Sequence, residues 1–171
     1  MNLTTMMKMS SMKSKVILVL YPNVTGLGYV IATDPKEIYD YGMRKFKPFS
    51  KYRFIKKVRW FLDYAKPQVV ILLNYENSHV SKRVTETIKE IESLARTKNL
   101  NVIKYSKMQI RDTFSVLGAS TKFEKSIQII KWYPELESII PPKRRPWKPE
   151  HYQMGVFDAF ALLTTYWYLS E

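Results

Sequence analysis

The side chains able to do chemistry in this chain are mostly cations. Between residues 44 and 59 stand Arg44, Lys45, Lys47, Lys51, Arg53, Lys56, Lys57 and Arg59, with no acid until Asp63. A second run reads Lys143-Arg144-Arg145-Pro146-Trp147-Lys148. Aromatic residues interleave with both: Phe46, Phe49, Tyr52, Phe54, Trp60 and Trp147. Guanidinium groups pair with phosphate in a planar fork, and aromatic rings stack on unpaired bases. Such contacts bind a nucleic-acid backbone without reading its sequence, and they weaken steeply with salt. The candidate nucleic-acid surface is therefore Lys45, Lys51, Arg53, Lys57, Lys122, Lys143, Arg144, Arg145 and Trp147. Phe54 and Phe61 share a helical face and read as core. Trp147, beside prolines in a basic loop, fits core and ligand contact equally well.

The balance of the whole chain agrees. Lys and Arg number 28 against 15 Asp and Glu, a net charge of +13. Charge of this size attracts polyanions, nucleic acid first among them. There is no cysteine among the 171 residues, which excludes disulfides, thiolate metal sites and a cysteine nucleophile. No apolar run approaches the ~18 residues that span a bilayer, so no membrane partner is expected. These features lean towards an intracellular protein, cytoplasmic or nucleoid-associated. Residues 1–14 are methionine-rich and are expected to form a disordered tail. Residues 15–171 are expected to form one domain, long enough to bury roughly two-thirds of its unfolded surface.

The elements that must position these groups follow from periodicity. Val16-Ile17-Leu18-Val19-Leu20 is a continuous apolar run, as in a strand covered on both faces. Pro22 and Asn23 break it, and Gly26 and Gly28 allow a tight return into a second strand. Asp34-Pro35-Lys36 turns into a third strand over Ile38–Gly42. A helix is predicted over Tyr52–Ala65, a second apolar strand over Val69–Leu73, and a polar loop over residues 74–78. Ser78 is read as the cap of a long helix, His79–Lys98. A strand at Asn101–Tyr105 follows, then helices Lys107–Leu117 and Lys122–Tyr133, capped by Ser106 and Thr121. The last helix is predicted over Glu150–Leu169. Three meandering strands followed by strands alternating with helices imply a mixed five-stranded sheet, three strands antiparallel and then two parallel, with helices on both faces. This is the element order of the ribonuclease H-like fold.

Here the sequence resembles the RuvC-like branch of that fold, the Holliday-junction resolvases. The matching stretches are Leu20-Tyr21-Pro22-Asn23-Val24-Thr25-Gly26, the strand Pro67 to Asn74, and Phe157-Asp158-Ala159-Phe160-Ala161-Leu162 in the last helix. Thr121-Lys122-Phe123-Glu124, Tyr133-Pro134-Glu135-Leu136 and Pro142-Lys143-Arg144 also fit a RuvC-like subgroup. The resemblance implies a two-magnesium nuclease site, with acids from the first strand, the fourth strand and the last helix. Two metal ions roughly 3.5–4 Å apart activate a water and stabilise the leaving oxygen. Magnesium takes oxygen ligands, and several carboxylates offset its charge.

Set beside that pattern, this chain departs from it. Tyr21 stands at the first aspartate position, and a neutral phenol is a poor magnesium ligand. The fourth-strand glutamate falls at Leu73 or Asn74, depending on a one-residue slip. Gly155 stands three residues before Asp158, where resolvases often carry another acid. Asp158 is the acid retained and the one candidate metal ligand, for Mg2+. Glu76, in the loop beyond Asn74, and Glu150, ahead of the last helix, are the candidate substitutes, with loop exposure and helix-dipole placement as their plain alternatives. The chain is accordingly expected to be a pseudo-nuclease that binds branched or structured nucleic acid, DNA before RNA. The alternatives are an active Mg2+-dependent structure-selective endonuclease using Asp158, Glu76 and Glu150, and a protein-interaction module. A homodimer is implied by the resemblance alone.

Overall fold

The computed structural model describes residues 14–76 and 78–170. Nearly all of the expected N-terminal tail, and Asn77 of the polar loop, lie outside the described residues.

Five strands make one sheet: β1 (Ile17–Pro22), β2 (Gly26–Asp34), β3 (Glu37–Lys45), β4 (Val69–Asn74) and β5 (Asn101–Ser106). Their order is β3-β2-β1-β4-β5. β1, β2 and β3 pair antiparallel, and β4 and β5 add in parallel. The expected mixed sheet is thus the observed one. β1 is buried along its whole length, as its unbroken apolar run requires. The hairpin closes on Asn23, whose side-chain oxygen accepts from the backbone N–H groups of Thr25 and Gly26 at 2.9 Å each. β3 is an edge strand, and its alternating exposed residues show it. It is longer than the expected Ile38–Gly42.

The helices are α1 (Lys51–Ala65), α2 (Lys82–Thr97), α3 (Lys107–Ser115), α4 (Lys122–Trp132) and α5 (Met154–Leu169), with a 3-10 turn at Pro134–Ile139 before α5. They cover both faces. Gly28 and Tyr29 are consecutive in β2 and so point to opposite sides of the sheet. Tyr29 packs on Phe61 of α1 at 4.4 Å between ring centroids. A Cβ on Gly28 would collide with the carbonyl oxygen of Gly155 in α5. So α1 lies on one face and α5 on the other. Phe54, Phe61, Phe114, Phe157 and Phe160 fill the two layers between sheet and helices, and Phe54 and Phe61 are core as expected.

Two helix starts differ from the sequence reading by more than one residue. α2 begins at Lys82 with Ser81 as its cap, accepting from Val84 N–H. Ser78 instead donates its hydroxyl to the Tyr75 carbonyl, a local turn that competes with helix. α5 begins at Met154 rather than Glu150, because His151–Gln153 form a turn closed by Met154 N–H on the His151 carbonyl. α4 starts where expected. Thr121 accepts from Glu124 N–H, and the Glu124 carboxylate accepts from Thr121 N–H, a reciprocal capping box. Those bonds, made first with the Thr121 and Ser120 backbone, hold the Glu124 carboxyl down at about 2.

Candidate functional site

The register of the sheet decides which side chains meet at its working edge. Tyr21 pairs with Gly28 across the β1–β2 ladder, so both face α5. β1 and β4 run in parallel with Ile17 beside Val69 and Val19 beside Ile71. The same offset carried two residues on sets Tyr21 beside Leu73, on the α5 face. The β4 residue facing the site is therefore Leu73, which is buried. Of the two positions left open by the sequence, the extended register sets Leu73 rather than Asn74 on this face. Asn74 points to the other face, and its side-chain oxygen accepts from the Glu76 N–H at 3.1 Å, an Asx turn that closes the loop. Glu76 itself is exposed.

Gly155 also has a structural reason. α5 approaches β2 so closely there that the two backbones touch at Gly28 and Gly155. A Cβ on Gly155 would lie 2.6 Å from the Met43 sulfur and 3.1 Å from the Asn23 side-chain nitrogen. A side chain at this position has to displace both.

Asp158 and Glu150 do come together, and a lysine joins them. Lys122 Nζ donates to Glu150 Oε1 at 2.6 Å and to Asp158 Oδ2 at 3.4 Å. Lys122 sits in the first turn of α4, where the Thr121 cap sets its direction. The Asp158 side chain is 13% exposed and that of Lys122 is 50%. Burial pushes the Asp158 carboxyl up to about 6; the Lys122 ammonium pulls it down, and the Glu150 charge adds to the rise. Burial works to lower the Lys122 ammonium, but Asp158 and Glu150 outweigh it and its pKa rises. So the ammonium stays charged, and the attraction offsets only part of the cost of burying Asp158.

Tyr21 closes the inner wall. It is 9% exposed. Burial first, then the charges of Asp158 and Glu150, hold its phenol well above the usual 10.0. It is neutral at any physiological pH. Tyr21, Lys107, Lys122, Lys125, Ser126 and Asp158 border a pocket of ≈ 130 Å³. Burial lowers the Lys125 ammonium; Asp158 opposes this, while Lys122 and Arg111 add to it.

These residues do not fit a two-magnesium centre. Among the described residues no three Asp, Glu, His or Cys side chains group so as to hold a metal ion. The two acids that meet share one ammonium. The phenol is neutral, and the Asn74 oxygen is committed to its turn.

The second feature is a cleft beside Glu150. Lys45, Lys47, Lys143, Arg144, Arg145 and Lys148 line it, together with His151 and Tyr152. Among the described residues none of these six cations is in an ion pair. Lys45 Nζ lies 3.4 Å above the Tyr152 ring. His151 stacks on Tyr152 at 4.7 Å and 28°. Trp147 is 74% exposed, with the Arg145 guanidinium 5.8 Å from its ring centre. A neighbouring depression shares Lys45 and adds Arg44, Arg53, Lys56, Lys57 and Trp60.

The nine residues of the expected nucleic-acid surface thus divide. Lys45, Arg53, Lys57, Lys143, Arg144 and Arg145 line the two basic depressions, and Trp147 stands beside Arg145. Lys51 is turned to Glu90 at 2.8 Å, and Lys122 is turned to Glu150 and Asp158. Sequence reasoning missed Tyr152 and His151. The prediction of a helix from Glu150 absorbed both, and the proline at 149 followed by two aromatic rings was the available signal.

The mixed five-stranded sheet with its helices is a ribonuclease H-like fold, and solved RuvC and resolvase structures share it. RuvC of T. thermophilus in complex with a Holliday junction substrate is 17% identical, with a TM-score of 0.63 over 91% of this chain and 95% of that one. The Thermus thermophilus RuvC structure gives 19% and 0.60 over the same shares. The yeast mitochondrial Holliday junction resolvase Ydc2 is 12% identical, with a TM-score of 0.56 over 96% of this chain and 82% of that one. No family model matches the chain, and no curated protein matches it significantly. No helix among the described residues is long and apolar enough to cross a membrane.

Proposed function

We propose that this protein is a RuvC-like nucleic-acid-binding pseudo-nuclease that holds branched or structured DNA without cutting it. The observation that carries the reading is the Lys122 ammonium bound between Glu150 and Asp158. In a two-metal nuclease, acids at this edge hold cations that activate water and stabilise the leaving oxygen. Here a tethered cation is bound to both acids. An ammonium has no open coordination position and does not lower the pKa of a bound water as a metal does. Tyr21 and Leu73 then supply a phenol and an alkyl group where the fold's nucleases supply acids. What remains is a scaffold with cations along its surface, suited to phosphate.

The T. thermophilus RuvC structure was solved on a Holliday junction, which makes four-way DNA the first ligand to try. Fluorescence anisotropy with a labelled four-way junction, a duplex and a single strand tests the binding half. Affinity for at least one at low salt is expected, and no binding to any of them overturns it. Incubating the same DNA with Mg2+ or Mn2+, wild type beside Asp158→Asn, tests the other half. Intact DNA in both is expected; cutting by wild type that Asp158→Asn abolishes would instead establish an active endonuclease.

A further inference from the structure

From the cleft between β3 and the 141–149 loop we infer that the preferred ligand carries an unpaired single strand. A fork or a flap fits better than a fully paired junction. This rests on the nucleic-acid reading above and names its substrate class. Three observations converge. Two chain segments bring cations to the cleft: Lys45 and Lys47 from the end of β3 and the turn after it, Lys143, Arg144, Arg145 and Lys148 from the loop. Six cations from two segments gather enough charge to neutralise several phosphates of one strand. The cleft is an open depression of ≈ 690 Å³. That holds a short run of nucleotides.

The second observation is the set of aromatic rings in the cleft and, at Trp147, beside its Arg145. Trp147 is 74% exposed among cations, and His151 and Tyr152 form a stacked pair in the cleft wall. In a duplex the base faces are covered by their neighbours. In a single strand they are open, and each can lie on a ring. The Tyr152 ring is already covered by Lys45 and by His151, so the rings open to a base are those of the exposed Trp147 and His151. The third observation is the pattern of pairing. The cleft cations have no acid partners among the described residues, except that Glu150 borders the cleft and is already bound to Lys122. An anion entering the cleft displaces no ion pair. The shared Lys45 continues the path towards Arg53 and Lys57.

Titrating oligo(dT) into wild type while following tryptophan fluorescence tests this, with Trp147→Phe and Trp147→Ala beside it. Wild-type emission should be quenched, and Trp147→Phe should lose most of the quench while keeping affinity within about twofold. Trp147→Ala should bind roughly tenfold more weakly, as loss of one base–ring stack predicts. In competition, a fork with a single-stranded arm should displace a bound labelled strand at least tenfold better than a blunt four-way junction of equal length. Equal competition by the two, with no quench, overturns the single-strand assignment while leaving the nucleic-acid reading standing. Failure of every DNA to bind removes both. Circular dichroism of each variant separates lost stacking from lost fold.

Discussion

Two groups of cations lie within a short stretch of each other and behave oppositely. Lys122 is locked between Glu150 and Asp158. None of the cleft cations is in an ion pair among the described residues, and Glu150, the acid that borders the cleft, is bound to Lys122. Both groups look alike in the sequence, as Lys and Arg in polar surroundings. The difference teaches that a positive side chain has to be sorted by what it neutralises. Where carboxylates are buried, the cation is part of the fold. Where none is near, the uncompensated charge is available to a ligand.

The strongest way to break that comparison is to remove charge from the cleft. Lys143→Ala, Arg144→Ala and Arg145→Ala together should weaken single-strand binding by roughly two to three orders of magnitude at moderate salt, with no change in Tm. The slope of log K against log salt should shrink by about 2, at ~0.7 for each phosphate no longer neutralised. Anisotropy titrations over a salt series measure both.

Asp158 sharpens the other half. Its folded carboxyl lies near 6 against an ordinary 3.8, so the native state binds its proton more tightly than the unfolded chain. Stability attributable to it is therefore highest below about pH 4 and falls as pH rises to about 6. At ~1.36 kcal/mol per unit, the change is about 3 kcal/mol. Asp158→Asn lacks this dependence. The stability of wild type relative to Asp158→Asn should drop by about that amount between pH 4 and pH 7, by urea unfolding at each pH.

Lys122→Met should cost about 1–2 kcal/mol of stability at pH 7.5. It leaves Asp158 buried without its partner, but the lysine side chain is half exposed and water screens part of the loss. Single-strand affinity should stay within about twofold. A large loss of binding with unchanged stability would erase the distinction between the two groups. Smallest is Thr121→Ala, which removes the cap that aims Lys122. About 1 kcal/mol of stability should be lost in thermal unfolding, again with binding unchanged.

Much of the fold was legible in residues. The apolar runs at 16–20 and 69–73 are β1 and β4, and Thr121 with Glu124 marks α4 within a residue. Where the reading slipped, a local signal had two uses. Ser78 and Ser81 both look like caps, and only the Ser78 bond to Tyr75 decides between them. The site was less legible because it is tertiary. Lys122 meets Glu150 and Asp158 across 28 and 36 residues, and no spacing rule carries that far. The choice between Leu73 and Asn74 needed the β1–β4 register, since one residue of slip turns a side chain to the other face. The closeness of Gly28 and Gly155 was likewise invisible until strand and helix were seen to touch.

Binding is predicted to belong to the cleft cations and to owe nothing to metal at the Asp158 edge. The direct measurement is the affinity of wild type for a labelled fork DNA in EDTA and in Mg2+, at matched ionic strength, with strand integrity checked afterwards. Equal affinity and intact strands are predicted. Binding that requires Mg2+, or cut strands in its presence, would contradict the account.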